Sequence, residues 1–210
     1  MNQQKQTEKK SFAANVYDLF HDVIYLMLAA TLIFTFAVRM VGVVGSSMYP
    51  TLVGKQSVIQ GQGDYVLLLS NGLNTTYRRG DIVVACLPGF RDGQEPIIKR
   101  VIGTPGQVVD LQDNGDGTWC VTVDGEALTE PYINGQMIQT MYQTIEFPAT
   151  VPEHSYFCMG DNRNNSLDSR SPEIGMIDTR YIIGRGLVLL FPGVDTADNS
   201  RTWSRIGILK

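Results

Sequence analysis

The stretches DIVVACL at residues 81–87 and IIKRVIG at residues 97–103 decide the fold class of this 210-residue chain. Both are short apolar runs rich in β-branched residues, with turn-forming Gly or Pro beside them, which is the pattern of a buried β-strand. No amphipathic helical pattern longer than two turns follows residue 45. The sequence therefore predicts a mostly β fold, an antiparallel β-sheet body. Further runs of the same kind lie at residues 65–69, 107–111, 119–123 and 186–191.

Turn signals cluster between residues 107 and 151. Asp113–Gly117 reads DNGDG and joins two of the predicted strands, and Asp124–Gly125 follows the second of them. Asn-Gly and Asp-Gly pairs are typical of tight hairpin turns, because these residues adopt the positive φ that such turns need. We therefore predict that residues 107–151 are a β-hairpin insertion in the body.

Composition and charge argue against two classes of function. The chain has 17 basic and 21 acidic side chains, a net charge of −4, and no basic run interleaved with aromatics, so nucleic acid is not an expected partner. Its cysteines form no CxxC pair and its histidines are only two, so no metal site and no cofactor are expected. These residues are Cys86, Cys120, Cys158, His21 and His154.

A strongly apolar stretch, VIYLMLAATLIFTFAV at residues 23–38, lies between Asp22 and Arg39. A helix over this stretch covers about 24 Å at ~1.5 Å per residue, which is less than the ~30 Å hydrocarbon core. Flanking apolar residues must then be partly immersed, which a snorkelling Arg39 permits. We predict a transmembrane signal anchor over residues 19–40, after a tail at residues 1–18.

Two other interpretations of the apolar stretch stay open. In a cleaved signal peptide, Thr35 and Ala37 would be the small residues at −3 and −1. In a protein without an anchor, the stretch would be a buried core helix. The anchor is favoured over a cleaved peptide, because charged Arg39 follows at once and the preceding polar region is long.

Basic residues set the expected orientation of the chain. Lys5, Lys9 and Lys10 precede the apolar stretch, whereas Arg39 alone lies close behind it. By the positive-inside rule the tail is cytoplasmic, and we predict that residues 41–210 form an extracytoplasmic domain. We expect a single-pass protein of the cytoplasmic membrane, with the lipid bilayer as a partner, and otherwise a monomer.

Ser47 and Lys99 are the first candidates for chemistry. Ser47 lies in VGSSMYPTL at residues 44–52, where Gly and Pro predict a rigid exposed loop, although serine in such a loop is most often part of a turn. Alternation in IIKRVIG places Lys99 and Arg100 on opposite faces of a strand, so one basic side chain enters apolar surroundings. A lysine that snorkels at a strand edge is the alternative.

Four sequence blocks carry a family resemblance. The blocks are GSSMYPTL at 45–52, YRRGDIVV at 77–84, IIKRVIGTPG at 97–106 and GDNRNNSLDSR at 160–170. By the order and placement of these blocks, the chain resembles the bacterial type I signal peptidases, the leader peptidase family with a Ser-Lys dyad, and in particular their Gram-positive-like branch. The resemblance covers essentially the whole chain, including the anchor and the residues before the last block.

The resemblance implies a membrane-bound serine endopeptidase, a hydrolase that removes N-terminal signal peptides from exported preproteins. Cleavage would follow small residues at −1 and −3, with Ser47 as nucleophile and Lys99 as general base. Lysine acts as a base only when neutral, and desolvation among apolar side chains favours that form. The alternative is a catalytically inactive, membrane-anchored relative that binds peptides, against which the presence of both dyad residues argues.

The resemblance also implies a supporting shell. The Ser166 hydroxyl would orient the Lys99 amine, and the Asp168–Arg170 pair would brace the loop. An oxyanion hole needs two donors, of which the Ser47 backbone N–H is the first. Many members of the family carry a serine two residues before the nucleophile, where this chain has Gly45. The second donor stays open between the Gly45 backbone and the Ser46 side chain.

Overall fold

The computed structural model describes residues 12–55, 63–73, 76–90, 95–138, 144–195 and 200–209. The chain divides into two compact units, Met1–Ala37 and Val38–Lys210.

The first unit is an apolar helix. Helix α1 spans Phe12–Leu32 and continues into a π-helical turn at Ile33–Ala37. Within it, Ala14–Ala37 is long and apolar enough to cross a membrane. At ~1.5 Å per residue its 24 residues cover about 36 Å, which exceeds the ~30 Å hydrocarbon core. The helix thus begins before the predicted segment 19–40, and the extra turns supply the length that the apolar stretch alone lacks.

The second unit is a β body. The strands in its described residues are β1 (Val38–Gly42), β2 (Tyr65–Ser70), β3 (Ile82–Ala85), β4 (Ile97–Gly103), β5 (Val108–Asp113), β6 (Trp119–Val123), β7 (Glu126–Ala127), β8 (Ala149–Thr150), β9 (Ser155–Met159), β10 (Ile177–Asp178), β11 (Ile182–Phe191) and β12 (Gly207–Ile208).

The larger sheet has the order β1-β2-β11-β3-β4-β9-β10, and β12 adds to β11. Its pairings are antiparallel, so the predicted mostly β, antiparallel fold class is confirmed. β1 begins at Val38, directly after the π-helical turn, and pairs Val38 with Leu69 and Gly42 with Tyr65 of β2. Residues 38–40 therefore belong to this sheet, because their backbone groups pair with the edge of β2.

The smaller sheet has the order β7-β6-β5-β8 and lies within residues 108–150. It packs on the larger sheet through one apolar cluster, to which Phe157 and Ile102 contribute from one side and Val109 and Val121 from the other. Gly103 lies at this junction, where a Cβ atom would meet Val109 Cγ2 at 2.5 Å. The two sheets therefore approach each other closely where β4 ends.

A second apolar cluster fixes the loop that follows β1. Met48 and Leu52 are 1% and 0% exposed, and they pack with Ile98 of β4 and Val84 of β3. The loop is thus attached to the sheet by its own side chains. This attachment places Ser47, which precedes Met48, next to β4.

Candidate active site

The Ser47 loop is ordered by short backbone hydrogen bonds. Tyr49 N donates to Ser46 O at 3.1 Å, and Leu52 N donates to Met48 O at 2.9 Å. Gly45 has a φ of +78°, a conformation that favours glycine, and its N–H donates to Lys55 O at 3.1 Å. The predicted rigid loop is thus present in the structure.

The two residues predicted to form the dyad are in contact. Lys99 Nζ donates a hydrogen bond to Ser47 Oγ at 2.7 Å and another to the Ile98 carbonyl at 3.0 Å. Lys99 is 5% exposed, so it is not a lysine that snorkels at an edge. Burial disfavours the charged ammonium form of a lysine. A neutral amine beside a serine hydroxyl can accept the proton of that hydroxyl.

A buried thiol lies next to the dyad. Cys158 is in β9, where it pairs with Val101 of β4. Burial raises the pKa of the Cys158 thiol, and the Asp168 carboxylate raises it further, while Lys99 acts in the opposite direction. The thiol therefore stays neutral at physiological pH and adds no negative charge that would hold a proton on Lys99.

A cavity opens beside the dyad. Its volume is about 410 Å³, and the parts of the chain that line it include residues 41–47 on one side and 95–99 on the other. Apolar side chains such as Val84 and Leu167 form much of its wall, and Asn165 adds a carboxamide. A cavity of this kind can accept small side chains next to the Ser47 hydroxyl.

The block at residues 160–170 closes over the Ser47 loop. Asn162 N donates to Ser47 O at 3.0 Å, and Asn162 Nδ2 donates to Ser46 O at 3.1 Å. Asn165 Nδ2 donates to the Ser46 hydroxyl at 2.9 Å. These three hydrogen bonds fasten the block at residues 160–170 to the Ser47 loop. The sequence analysis named neither asparagine, although both lie inside a block that it quoted.

Ser166 lies beside the same loop. Its side chain is buried, and its hydroxyl forms no hydrogen bond with the described residues. Gly160 separates Ser166 from Ser47: a Cβ atom at this position would collide with both Ser166 Oγ and the Ser47 carbonyl. The close packing of these three residues explains why position 160 is a glycine.

Asp168 and Arg170 form a buried bidentate salt bridge. Arg170 Nε donates to Asp168 Oδ1 at 2.8 Å, and Arg170 Nη2 donates to Asp168 Oδ2 at 2.9 Å, with both side chains fully buried. The pair also holds the loop, since Asp168 Oδ2 accepts from Gly160 N at 3.0 Å and Arg170 Nη2 donates to Arg163 O at 2.8 Å. This is the arrangement expected of a brace.

Two further buried pairs connect this block to the body, and the sequence analysis missed both. Arg100, next to Lys99 but on the other face of β4, donates to both carboxylate oxygens of Asp161 at 2.8 and 2.7 Å. Arg163 pairs with Glu130, to which Tyr132 also donates at 2.9 Å. Burial of a charged side chain needs such a partner.

Within the part of the chain described, no three His, Cys, Asp or Glu side chains are placed to hold a metal ion. His154 is exposed in the turn before β9, where its backbone carbonyl accepts from Thr179.

Comparisons with known proteins identify the family of the chain. The family model described as signal peptidase, peptidase S26, matches residues 16–191. A signal peptidase I of Bacillus licheniformis is 30% identical over 91% of this chain and 96% of its own length. Signal peptidase I T of Bacillus subtilis strain 168 is 32% identical over 91% and 92%.

A crystal structure of a signal peptidase I from Enterococcus faecalis V583 aligns with a TM-score of 0.39 and 29% identity. The alignment covers 52% of this chain and 96% of that one. The family match spans the Ser47 loop, the Lys99 strand and the block at residues 160–170. The chain therefore belongs to the signal peptidase family, peptidase S26.

Proposed function

We propose that the chain is a membrane-anchored serine endopeptidase that removes N-terminal signal peptides from exported preproteins. The observation that carries this proposal is the 2.7 Å hydrogen bond between Lys99 Nζ and Ser47 Oγ beside an apolar cavity. Membership of the peptidase S26 family and the names of the Bacillus relatives support it.

Ser47 and Lys99 share the chemistry in this proposal. As Ser47 Oγ attacks the scissile carbonyl, its proton passes to the neutral Lys99 amine. The resulting ammonium then gives this proton to the leaving amine, and the C–N bond breaks to leave an acyl group on Ser47. Lys99 next takes a proton from water, whose oxygen attacks the acyl carbon. The bond from that carbon to Ser47 Oγ then breaks, Lys99 returns the proton to Ser47 Oγ, and the signal peptide leaves as an acid that ionises to a carboxylate in water.

We assign the oxyanion hole to Ser47 N–H and the Ser46 hydroxyl. The N–H of Gly45, the alternative second donor, already donates to Lys55 O at 3.1 Å. The Ser46 hydroxyl instead accepts from Asn165, which leaves its own hydrogen free to donate. Loss of one such donor typically lowers turnover by about 10²- to 10³-fold.

The buried hydroxyl of Ser166 completes the dyad in this proposal. Its close packing against Gly160, which touches the Ser47 carbonyl, supports this role. When Lys99 becomes an ammonium it gains a hydrogen to donate, and Ser166 Oγ, which has no partner in the free enzyme, would accept it.

The substrate binds as an extended strand in this proposal, between residues 41–45 and 95–98. An added strand alternates its side chains, so those at −1 and −3 enter the cavity together, which accounts for small residues at both positions.

We further propose that the anchor crosses the membrane once, with the tail at residues 1–18 in the cytoplasm and residues 41–210 outside. The three lysines before the apolar helix, with Arg39 alone close behind it, support this orientation. We expect the enzyme to act as a monomer and to bind no nucleic acid, in line with its net charge of −4.

Cleavage of a preprotein with an Ala-x-Ala site tests the proposal. The full chain in detergent is assayed beside Ser47→Ala and Lys99→Ala, and product mass identifies the bond that is cut. We expect cleavage after the −1 alanine by the wild type and a loss on the order of 10³-fold or more in both variants. Ser204→Ala, which changes an exposed serine, is the matched control and should retain wild-type activity.

Two results would contradict the proposal. A wild type that binds the preprotein without cutting it would be an inactive, peptide-binding relative. Cleavage that survives Lys99→Ala would mean that another group is the base.

A further inference from the structure

A further buried carboxylate, Asp64, lies behind the Ser47 loop. Asp64 is fully buried at the start of β2 and accepts hydrogen bonds from two backbone N–H groups, Val53 N at 2.8 Å and Gly193 N at 2.6 Å. Its charge is neutralised by Arg205, whose Nη1 and Nη2 donate to the two carboxylate oxygens at 3.0 and 2.6 Å. Asp64 thus joins three separate parts of the chain.

Arg205 comes from the last described segment, residues 200–209. That segment forms a 3₁₀ turn at Trp203–Arg205 and then β12, which pairs with β11, and Leu209 packs against the apolar cluster under the Ser47 loop. The match to the family model ends at residue 191, so Arg205 lies outside it.

Arg205 also contacts the Ser47 loop directly. Its Nη2 donates to Thr51 O at 3.1 Å, four residues after the nucleophile. The Thr51 hydroxyl in turn donates to Asp161, the carboxylate that pairs with Arg100. The end of the loop is therefore held by two buried carboxylates, one on each side.

The removal of Arg205 would leave Asp64 as a buried charge without its ion-pair partner and would free the Thr51 carbonyl. A buried charge in this state draws in water or moves, and the two backbone groups that donate to Asp64 would move with it. Val53 is one of them, and it lies one residue after Leu52, whose N–H bonds to Met48 next to Ser47. The Ser47 hydroxyl must stay within hydrogen-bonding distance of Lys99 Nζ, and a displacement of about 1 Å can cost about 10²-fold in rate.

We propose that Arg205, acting through Asp64, is a positioning residue for the nucleophile Ser47. It does not touch the reacting atoms, and it sets the position of the loop that carries the hydroxyl. This inference rests on the proposed role of Ser47.

The test compares steady-state kinetics of full-length variants in detergent, each assayed well below its own Tm. Arg205→Ala should lower kcat by about 10- to 100-fold with KM close to that of the wild type, since the cavity is intact while the hydroxyl is displaced. Arg205→Lys keeps the charge opposite Asp64 and should recover part of the lost kcat. Arg201→Ala, in the same segment over the ring of Trp203, is the matched control and should match the wild type.

A purely stabilising contact would behave differently. If Arg205→Ala lowers Tm but keeps the wild-type kcat, or if Arg205→Lys is as poor as Arg205→Ala, the positioning role is wrong. The wild type and Ser47→Ala are assayed in the same series. If the wild type fails to cleave, or Ser47→Ala cleaves normally, the proposed function itself is wrong and the inference falls with it.

Discussion

At the scale of single residues, the active site depends on the absence of a side chain at Gly160. Gly160 lies between the Ser166 hydroxyl and the Ser47 carbonyl, and there is no room for a methyl group. Of these two neighbours the Ser47 carbonyl is backbone, so relief of the collision must move the nucleophile loop. The glycine is therefore part of the geometry that aims Ser47 at Lys99.

Gly160→Ala should consequently lower kcat by about 10²-fold or more, because the added Cβ displaces the Ser47 backbone. Activity and Tm of the full-length variant are measured together. Gly72→Ala is the matched control, since a Cβ at Gly72 meets nothing within 4 Å. A Gly160→Ala enzyme with wild-type kcat would show that the loop can relax without loss of alignment.

Two ion pairs of the same chemical type should differ in their contribution to stability. Arg170→Ala leaves Asp168 buried without a counter-charge and should cost about 3–5 kcal/mol in the free energy of unfolding. Arg180→Ala removes the exposed partner of Asp178 and should leave stability unchanged, because water screens that pair. Denaturant unfolding of both variants measures the difference. Equal losses would contradict the assignment of Asp168–Arg170 as a buried brace.

At the scale of elements, the predicted strands each contain Val, Ile or Leu, whereas β9 contains none of these residues. β4 and β11 each carry a run of Ile, Val or Leu, so the sequence indicated them. β9 was not predicted. It reads SYFCM and is buried at every position, so its sequence does not alternate between apolar and polar residues as a half-buried strand does. Residues 38–40 of β1 were placed within the anchor, because their composition continues that of the apolar helix.

The site residues that were predicted also lie in recognisable stretches of the sequence. Ser47 and Lys99 were identified because they lie in distinctive blocks, and the structure brings them into contact. Asp64 and Glu130 were missed, since each is a single acidic residue whose partner is 141 or 33 residues away. Nothing local in the sequence distinguishes a carboxylate that pairs across such a separation from one that faces water.

The junction of the two sheets can be tested at Phe157. Phe157→Ala empties part of the cluster between β4, β5 and β9 and should cost about 3–5 kcal/mol in the free energy of unfolding. Phe191→Ala is the control of the same chemical type, because Phe191 is 51% exposed and should lose far less. Denaturant unfolding is the measurement. Similar losses at both positions would mean that the sheets are held together mainly by other contacts.

At the scale of the whole molecule, the orientation in the membrane is the remaining prediction. An alkaline phosphatase that is active only outside the cytoplasm, fused after Lys210, should be active when the full chain is produced in bacteria. The same enzyme fused before Met1 should be inactive, since the three lysines keep that end inside. The reverse pattern would invert the topology, and inactivity at both ends would show that the anchor is not inserted.

The contacts of the dyad also determine when in its own synthesis the enzyme becomes active. Ser47 meets a lysine 52 residues later, its loop is fastened by Asn162, 116 residues after Ser46, and Thr51 contacts an arginine 154 residues after it. Contacts of such high sequence separation form late in folding. In a nascent chain, Ser47 is therefore synthesised well before Lys99 and before the block that contains Asn162. With Ser47 and Lys99 in their proposed roles, the chain gains peptidase activity only after most of it has been synthesised.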